Sequence, residues 1–169
     1  MSKEEIEVEY IEGSDYMELI KATQKHFNIV KDIVCNTIND IYPNYYPKGA
    51  VDFFLTHHSD ENIKNAIQKN EIYLLLEGNN FVGTGSVKEN EVCRLFVLPQ
   101  YQGKGYGHKI MDILENLLFK SFDEVTLAAS FPAYNMYIKR GYFPIDYHKI
   151  LTENGDYLCY HVMKRIRQK

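Results

Sequence analysis

Between Val97 and Met111 the chain reads VLPQYQGKGYGHKIM, with Gly103, Gly105 and Gly107 at alternate positions between an apolar run and an amphipathic one. Glycine loses more conformational freedom on folding than any other residue, so such a cluster needs a reason. Without Cβ atoms in the way, successive backbone N–H groups can converge on one point. A helix beginning there adds its own free N–H groups and the positive end of its dipole. Together these form an anion site, most naturally for phosphate. Lys104 can add a charge and Gln102 a neutral donor. Two common phosphate loops do not fit. In G-x-x-x-x-G-K-S/T the lysine follows the glycines, whereas Lys104 precedes Gly105 and Gly107, and the spacing G-x-G-x-G is not G-x-G-x-x-G.

Other reactive residue types give weaker signals. His57 and His58 stand beside Ser59, Asp60 and Glu61, but adjacent histidines point apart on a helix and no third ligand is evident, so no metal site is expected. Cys35, Cys93 and Cys159 are odd in number and form no CxxC pair, which argues against a disulfide framework and for a reducing compartment. Cys93 reads as a small buried apolar residue in a strand, with nucleophilic chemistry as the lesser alternative. With 14 tyrosines, a tyrosine on a helix is by default amphipathic core.

The elements that would position these residues follow from periodicity. MELIKAT from Met17 reads as a strand, and IEVEYI at 6–11 as a short candidate ahead of it. From Lys25 to Tyr42, Val30, Ile33, Val34, Ile38 and Ile41 fall on one helical stripe, which YPNYYPKG breaks. A second helical region runs from about Ala50 and is interrupted near HHSDEN, with Asp60 as the expected N-cap of its continuation. EIYLLLE, FVGTGSV and VCRLFVL then read as an antiparallel meander over 71–98, ended by Pro99. After the glycines, Ile110, Ile113, Leu114, Leu117 and Leu118 make a helix stripe, and EVTLAA is a strand. A whole helix separates VCRLFVL from EVTLAA, so the two should be parallel, joined by a right-handed crossover. PAYNMYIKR is a short helix with Pro132 near its start and Gly141 as its stop, and two strands joined by TENGD finish the chain. The expected order is ααββββαβαββ with an optional leading strand: one α/β domain on a mixed sheet.

Bulk composition fits that reading. The chain has 169 residues, 45% hydrophobic and 14% aromatic, which suits one globular domain and argues against disorder. A net charge of -4 argues against a general nucleic-acid binder. The acidic start lacks the apolar core of a secretory signal, and no run approaches the ~20 apolar residues of a membrane span. A soluble cytoplasmic protein is expected.

LFVLPQYQGKGYGHKIM resembles the acetyl-CoA-binding motif of the GNAT N-acetyltransferase superfamily: a strand, a V-x-P-x-Y/W approach, then Q/R-x-x-G-x-G/A opening a helix. Gln102, Gly105 and Gly107 fill the signature, with Val97, Pro99 and Tyr101 ahead of it. A later stretch, AYNMYIKRGYFPI, is similar to the family's second motif through Ala133, Tyr137, Arg140, Gly141 and Tyr142. One position departs: the asparagine that many members carry seven residues before the tyrosine is Ser130, and Asn135 does not hold that place. The resemblance covers roughly residues 17–164. It implies a single GNAT-like α/β domain over 17–169 after a polar leader over 1–16. The sheet would be mixed, mostly antiparallel and twisted, with a parallel, splayed central strand pair flanked by helices.

The resemblance also implies acetyl transfer from acetyl-CoA to an amine, by direct attack in a ternary complex and without a metal. The pyrophosphate would lie on Gln102, Gly103, Lys104, Gly105, Tyr106 and Gly107, and the pantetheine along Leu95, Phe96 and Val97. The N–H of Val97 or a neighbour would be the oxyanion donor. Tyr137 matches the family's general acid near the sulfur. Glu91 enters the strand where the family often places a base, and alternation would put it on one face with Cys93, Leu95 and Val97. His148 and His161 fall on strands that border the acceptor site in the family. The aromatic segment DIYPNYYPKGAVDFF would shape the acceptor side without naming the acceptor, a small molecule or a protein. The C-terminal hairpin could pair across a homodimer. Two other readings remain open: a non-catalytic acyl-CoA-binding or sensor module on the same scaffold, and a nucleotide-binding domain.

Overall fold

The computed structural model describes residues 17–168; the expected leader and its candidate strand at 6–11 lie outside them. A seven-stranded sheet is built from β1 (Met17–Lys21), β2 (Ile72–Glu77), β3 (Asn80–Lys88), β4 (Glu91–Val97), β5 (Glu124–Ala129), β6 (Phe143–Leu151) and β7 (Tyr157–Ile166), in the order β1-β2-β3-β4-β5-β7-β6. Its helices are α1 (Phe27–Ile41), α2 (Lys48–His57), α3 (Asp60–Gln68), α4 (Tyr106–Phe119) and α5 (Tyr134–Lys139). The leading strand β1 is present, and three strands rather than four separate α3 from α4, so the expected order had one strand too many. The N-cap of α3 also differs from expectation. Ser59, not Asp60, holds that position, accepting from the Asn62 N–H at 3.3 Å, and Asp60 becomes the first helical residue, where its charge suits the dipole. Among the described residues no helix is long and apolar enough to cross a membrane.

Each face of the sheet carries its own core. Val30, Ile33, Val34 and Ile38 of α1 pack with Ile63 and Ile67 of α3 against Ile72, Leu74 and Phe96. On the other face Ile110, Met111, Leu114 and Leu118 of α4 pack against Val82, Val92, Val97 and Leu127. The stripes read from the sequence are thus the buried ones. Two glycines in β3 allow α4 to come this close. A Cβ on Gly83 would sit 2.9 Å from Ile110 Cδ1, and one on Gly85 would sit 2.8 Å from both Ile110 and Leu114.

β4 and β5 are parallel, as expected, but their ladder joins only Glu91 with Thr126 and Val92 with Leu127. Beyond that the strands diverge. β3 and β4 stay paired throughout, with an irregularity between Thr84 and Ser86, opposite which Arg94 takes φ +51°. This is a bulge, and bulges bend and twist the strand that carries them. It also breaks the alternation expected along β4. Val92, Leu95 and Val97 pack in the α4 core, so Glu91 and Cys93 lie on the opposite face from Leu95 and Val97.

One buried carboxylate fixes α4 to the C-terminal half. Glu115, 3% exposed, accepts from Arg140 Nη2 at 2.6 Å, from the Tyr142 hydroxyl at 2.9 Å and from Arg165 Nη1. Removing one member of a buried pair leaves an uncompensated charge and costs about 3–5 kcal/mol, whereas exposed pairs contribute about 0–1 kcal/mol. Arg140 also meets Asp112, which is 63% exposed in its side chain. Chemical denaturation should therefore show Glu115→Ala losing about 3–5 kcal/mol and Asp112→Ala no more than about 1 kcal/mol.

Candidate active site

Because β4 bends away from β5, its free edge faces a cavity of about 500 Å³. The hydrogen-bond alternation of an antiparallel pair shows which backbone groups face it. The Leu98 N–H donates to Val82 O at 3.0 Å, so Val97, one residue earlier and opposite Gly83, turns its N–H and C=O to the other edge. The Val97 carbonyl is held there by Gln102 Nε2 at 2.9 Å, and the Thr37 hydroxyl lies 3.2 Å away. Gln102, expected to offer its amide to an anion, thus uses one N–H to tie the loop to the end of β4.

The loop forms one end of the cavity. Gly103 and Gly105 take φ +76° and +87°, the left-handed region that glycine enters without a Cβ penalty. Gly105 is the N-cap of α4 and supplies no side-chain cap. The backbone amides of Gly103, Lys104, Gly105, Gly107 and His108 donate to no acceptor among the described residues. They leave a set of N–H groups at one end of the cavity, the arrangement that the sequence led us to expect for an anion.

Of the nine residues expected to hold the cofactor, Leu95, Phe96, Val97, Gln102, Gly103, Gly105, Tyr106 and Gly107 line this cavity. Lys104 does not; its ammonium lies 5.4 Å from the centre of the Tyr101 ring. Tyr106 lines the wall while its hydroxyl donates to Glu77. The two residues expected to act in catalysis are not in the lining. Tyr137 is 5% exposed in the α4 core, its ring 5.6 Å from that of Tyr142, and burial pushes its phenol pKa up. Glu91 sits at the start of β4 next to Cys93; burial raises its pKa, and a hydrogen bond with Cys93 partly offsets this. Cys93 is pushed up to about 12, chiefly by burial, so it stays a thiol at neutral pH and is no ready nucleophile.

Tyr42 and Ser130 line the cavity, as does Thr37, which the sequence did not single out. Tyr42, just beyond α1, donates to Ser130 Oγ at 3.3 Å, and the Tyr46 hydroxyl accepts the Phe131 N–H at 2.7 Å. Tyr42, Tyr46 and Phe54 pack ring against ring and onto Phe96 and Phe131, which locates the expected aromatic wall over the end of β5. Aromatic density was their only signal. His58 is 8% exposed and accepts from Arg94 Nε at 3.1 Å, with burial first and then Arg94 lowering its pKa to about 3. Among the described residues no group of three or more His, Cys, Asp or Glu could hold a metal ion. His148 stacks on Tyr160, and His161 lies between Tyr134 and Tyr147 with its Nδ1 buried and unpartnered.

The family model of the acetyltransferase (GNAT) domain matches residues 41–160, more than half of the chain. This chain belongs to the GNAT acetyltransferase family. Solved structures agree on the fold. A GCN5-related N-acetyltransferase from Rhodopseudomonas palustris superposes with a TM-score of 0.79 at 20% identity, over 88% of this chain and 94% of that one. The PaiA N-acetyltransferase from Thermoplasma acidophilum, solved in complex with coenzyme A, gives 0.70 at 19% identity, over 89% and 99%. A ribosomal-protein-alanine N-acetyltransferase from Escherichia coli gives 0.67 at 13% identity, over 90% and 95%. No curated protein sequence matches significantly.

The loop glycines of this GNAT domain are not equivalent. A side chain at Gly105 must enter a left-handed conformation, which costs roughly 1–2 kcal/mol. A Cβ on Gly107 would meet Met136 Sδ at 3.7 Å and Val97 Cγ2 at 3.9 Å, both ordinary contacts. Chemical denaturation should find Gly105→Ala less stable by about 1–2 kcal/mol, while Gly107→Ala, inside α4, is at least as stable as the parent.

Proposed function

We propose that this chain transfers an acetyl group from acetyl-CoA to an amine by direct attack in a ternary complex. The observation that carries this is the two-residue β4–β5 ladder, which opens a cavity running from the free edge of β4 to the amides at the start of α4. A pantetheine arm is rich in amides and can pair with the exposed edge at Leu95–Val97, while a pyrophosphate suits the N–H groups of Gly103–His108. The coenzyme A complex of the Thermoplasma acidophilum relative supports this choice of donor.

In this reading the amine nitrogen attacks the thioester carbon, and negative charge builds on the carbonyl oxygen. The Val97 N–H, directed at the open edge, is the oxyanion donor. Glu91 takes the proton of the attacking amine, directly or through water; its raised pKa makes it a stronger base than an ordinary carboxylate. The tetrahedral centre collapses, the C–S bond breaks, and Tyr137 donates a proton to the leaving thiolate. Burial keeps its phenol protonated until then.

One observation favours a second assignment of the acid. Tyr42, whose pKa is also raised by burial, lines the cavity and Tyr137 does not. Thiol release with a panel of amines separates the two. Tyr137→Phe is expected to lower kcat by about 10²–10⁴-fold with coenzyme A binding intact, the usual range for losing a general acid. If Tyr42→Phe shows that loss instead, Tyr42 is the acid. If coenzyme A binds but no amine releases thiol in the parent protein, the chain is a binding module.

Glu91 predicts a pH effect. An acid whose pKa is raised becomes a base only above that raised value, so kcat/KM should climb with pH through a point above the ordinary carboxylate range. This limb should stay in place when acceptors of different amine pKa are compared, and vanish in Glu91→Gln.

A further inference from the structure

The face of β4 that bears Glu91 and Cys93 also carries a cation that nothing above uses. Of the four arginines, Arg140 and Arg165 pair with Glu115 and Arg167 with Asp123. Arg94 is half-buried and pairs with no carboxylate among the described residues. Its one hydrogen bond runs from Nε to His58 Nδ1 at 3.1 Å, and Glu71 acts on it only through space. Arginine can only donate, so His58 accepts through Nδ1 and carries its proton on Nε2. This bond occupies the Nε corner of the guanidinium and leaves both Nη groups, which match a carboxylate.

The position of Arg94 is fixed from two sides. Its backbone holds φ +51° at the bulge, a conformation that non-glycine residues rarely adopt and that clusters at functional sites. Its partner His58 stands edge-on to Phe96 at 5.2 Å, and Phe96 and the adjoining Leu95 line the cavity. By this route two side chains, His58 and Phe96, link the cation to the cavity wall, and it lies on the same face as Glu91. A desolvated guanidinium without a counter-charge is unfavourable unless a ligand provides one.

We propose that Arg94, oriented by His58, binds a carboxylate on the acceptor, so that the amines acetylated are amino-acid-like molecules carrying both an amine and a carboxylate. This rests on the transferase reading above. It excludes polyamines and simple alkylamines as preferred acceptors, because their second charge or apolar tail would meet the guanidinium.

The test pairs each of a set of L-amino acids and dipeptides with its own carboxamide. Every pair is titrated calorimetrically into the coenzyme A complex and assayed for thiol release with acetyl-CoA. At least one acid is expected to bind, and to be acetylated, with an affinity or KM about tenfold better than its amide. Arg94→Gln should abolish that difference while coenzyme A affinity stays within twofold, and Arg94→Lys should restore part of it. The proposal is overturned if the parent protein treats acids and amides alike or prefers amides, or if Arg94→Gln weakens both members of each pair equally. If no amine releases thiol, the transferase reading has failed, and the acid-against-amide titration still decides for or against Arg94. Should Arg94→Gln not fold, the parent comparison and Arg94→Lys decide.

Discussion

The structure depends on one strand having two unlike edges. Along β3, β4 is paired on both sides of a single bulge; along β5 it is paired for two residues and then abandoned. Buried backbone N–H and C=O groups are almost always satisfied, so an open strand edge inside a fold is a vacancy that something must fill or cover. The bulge at Arg94 creates it, because an extra residue opposite β3 shifts the β3–β4 register and forces β4 to twist away from β5. Filling the edge with β5 would give a better sheet and no slot. The slot is therefore both a local weakness of the sheet and the place where an amide-bearing ligand gains most.

A slot of this kind works only if the groups at its mouth are held still, and three independent ties converge there. The glycines of β3 let α4 lie close on the sheet. Glu115 fastens the middle of α4 to the corner after α5 and to β7 through Arg140, Tyr142 and Arg165. Gln102 and Thr37 meet at the Val97 carbonyl, joining the loop, α1 and the end of β4. The first tie is packing, the second buried charge and the third neutral hydrogen bonding. Together they fix the N-terminus of α4 relative to the Val97 N–H, which is the relation a thioester carrying a distant pyrophosphate would sense.

Much of the glycine-loop side of the cavity was legible in the sequence, because it is built from backbone. Backbone function leaves a local signature: glycines where a Cβ would obstruct or a positive φ is required, a strand before and a helix after. Gly103 and Gly105 take the conformations that this signature demands. The parallel pairing of β4 and β5 was also readable, since an intervening helix forces it. What failed was the alternation along β4. A bulge at a non-glycine residue has no compositional mark, so a strict period of two placed Glu91 and Val97 on one face when they lie on opposite ones. The N-cap of α3 was misplaced by one residue for a smaller reason: Ser59 and Asp60 are both good caps, and only geometry chooses between them.

The opposite side of the slot is built differently, and that decides what a sequence can say about it. Tyr42, Tyr46, His58, Arg94 and Ser130 come from β4 and from the segments just after α1, α2 and β5, and they meet only because the sheet brings those elements together. No fixed spacing links them, so no motif can record them. Each also has an ordinary structural explanation when taken alone: an aromatic in a core, a histidine at a helix end, a charged residue in a strand. Their meaning lies in what the folded arrangement leaves over. Three of the four arginines have acids and one has a neutral imidazole. A neutral partner orients a guanidinium without cancelling its charge. A fold that buries Glu115 under two arginines has the means to neutralise a third, and at Arg94 it supplies a hydrogen-bond acceptor in place of a counter-ion. If that guanidinium binds a ligand, its sign selects a carboxylate, a preference that the glycine loop cannot specify.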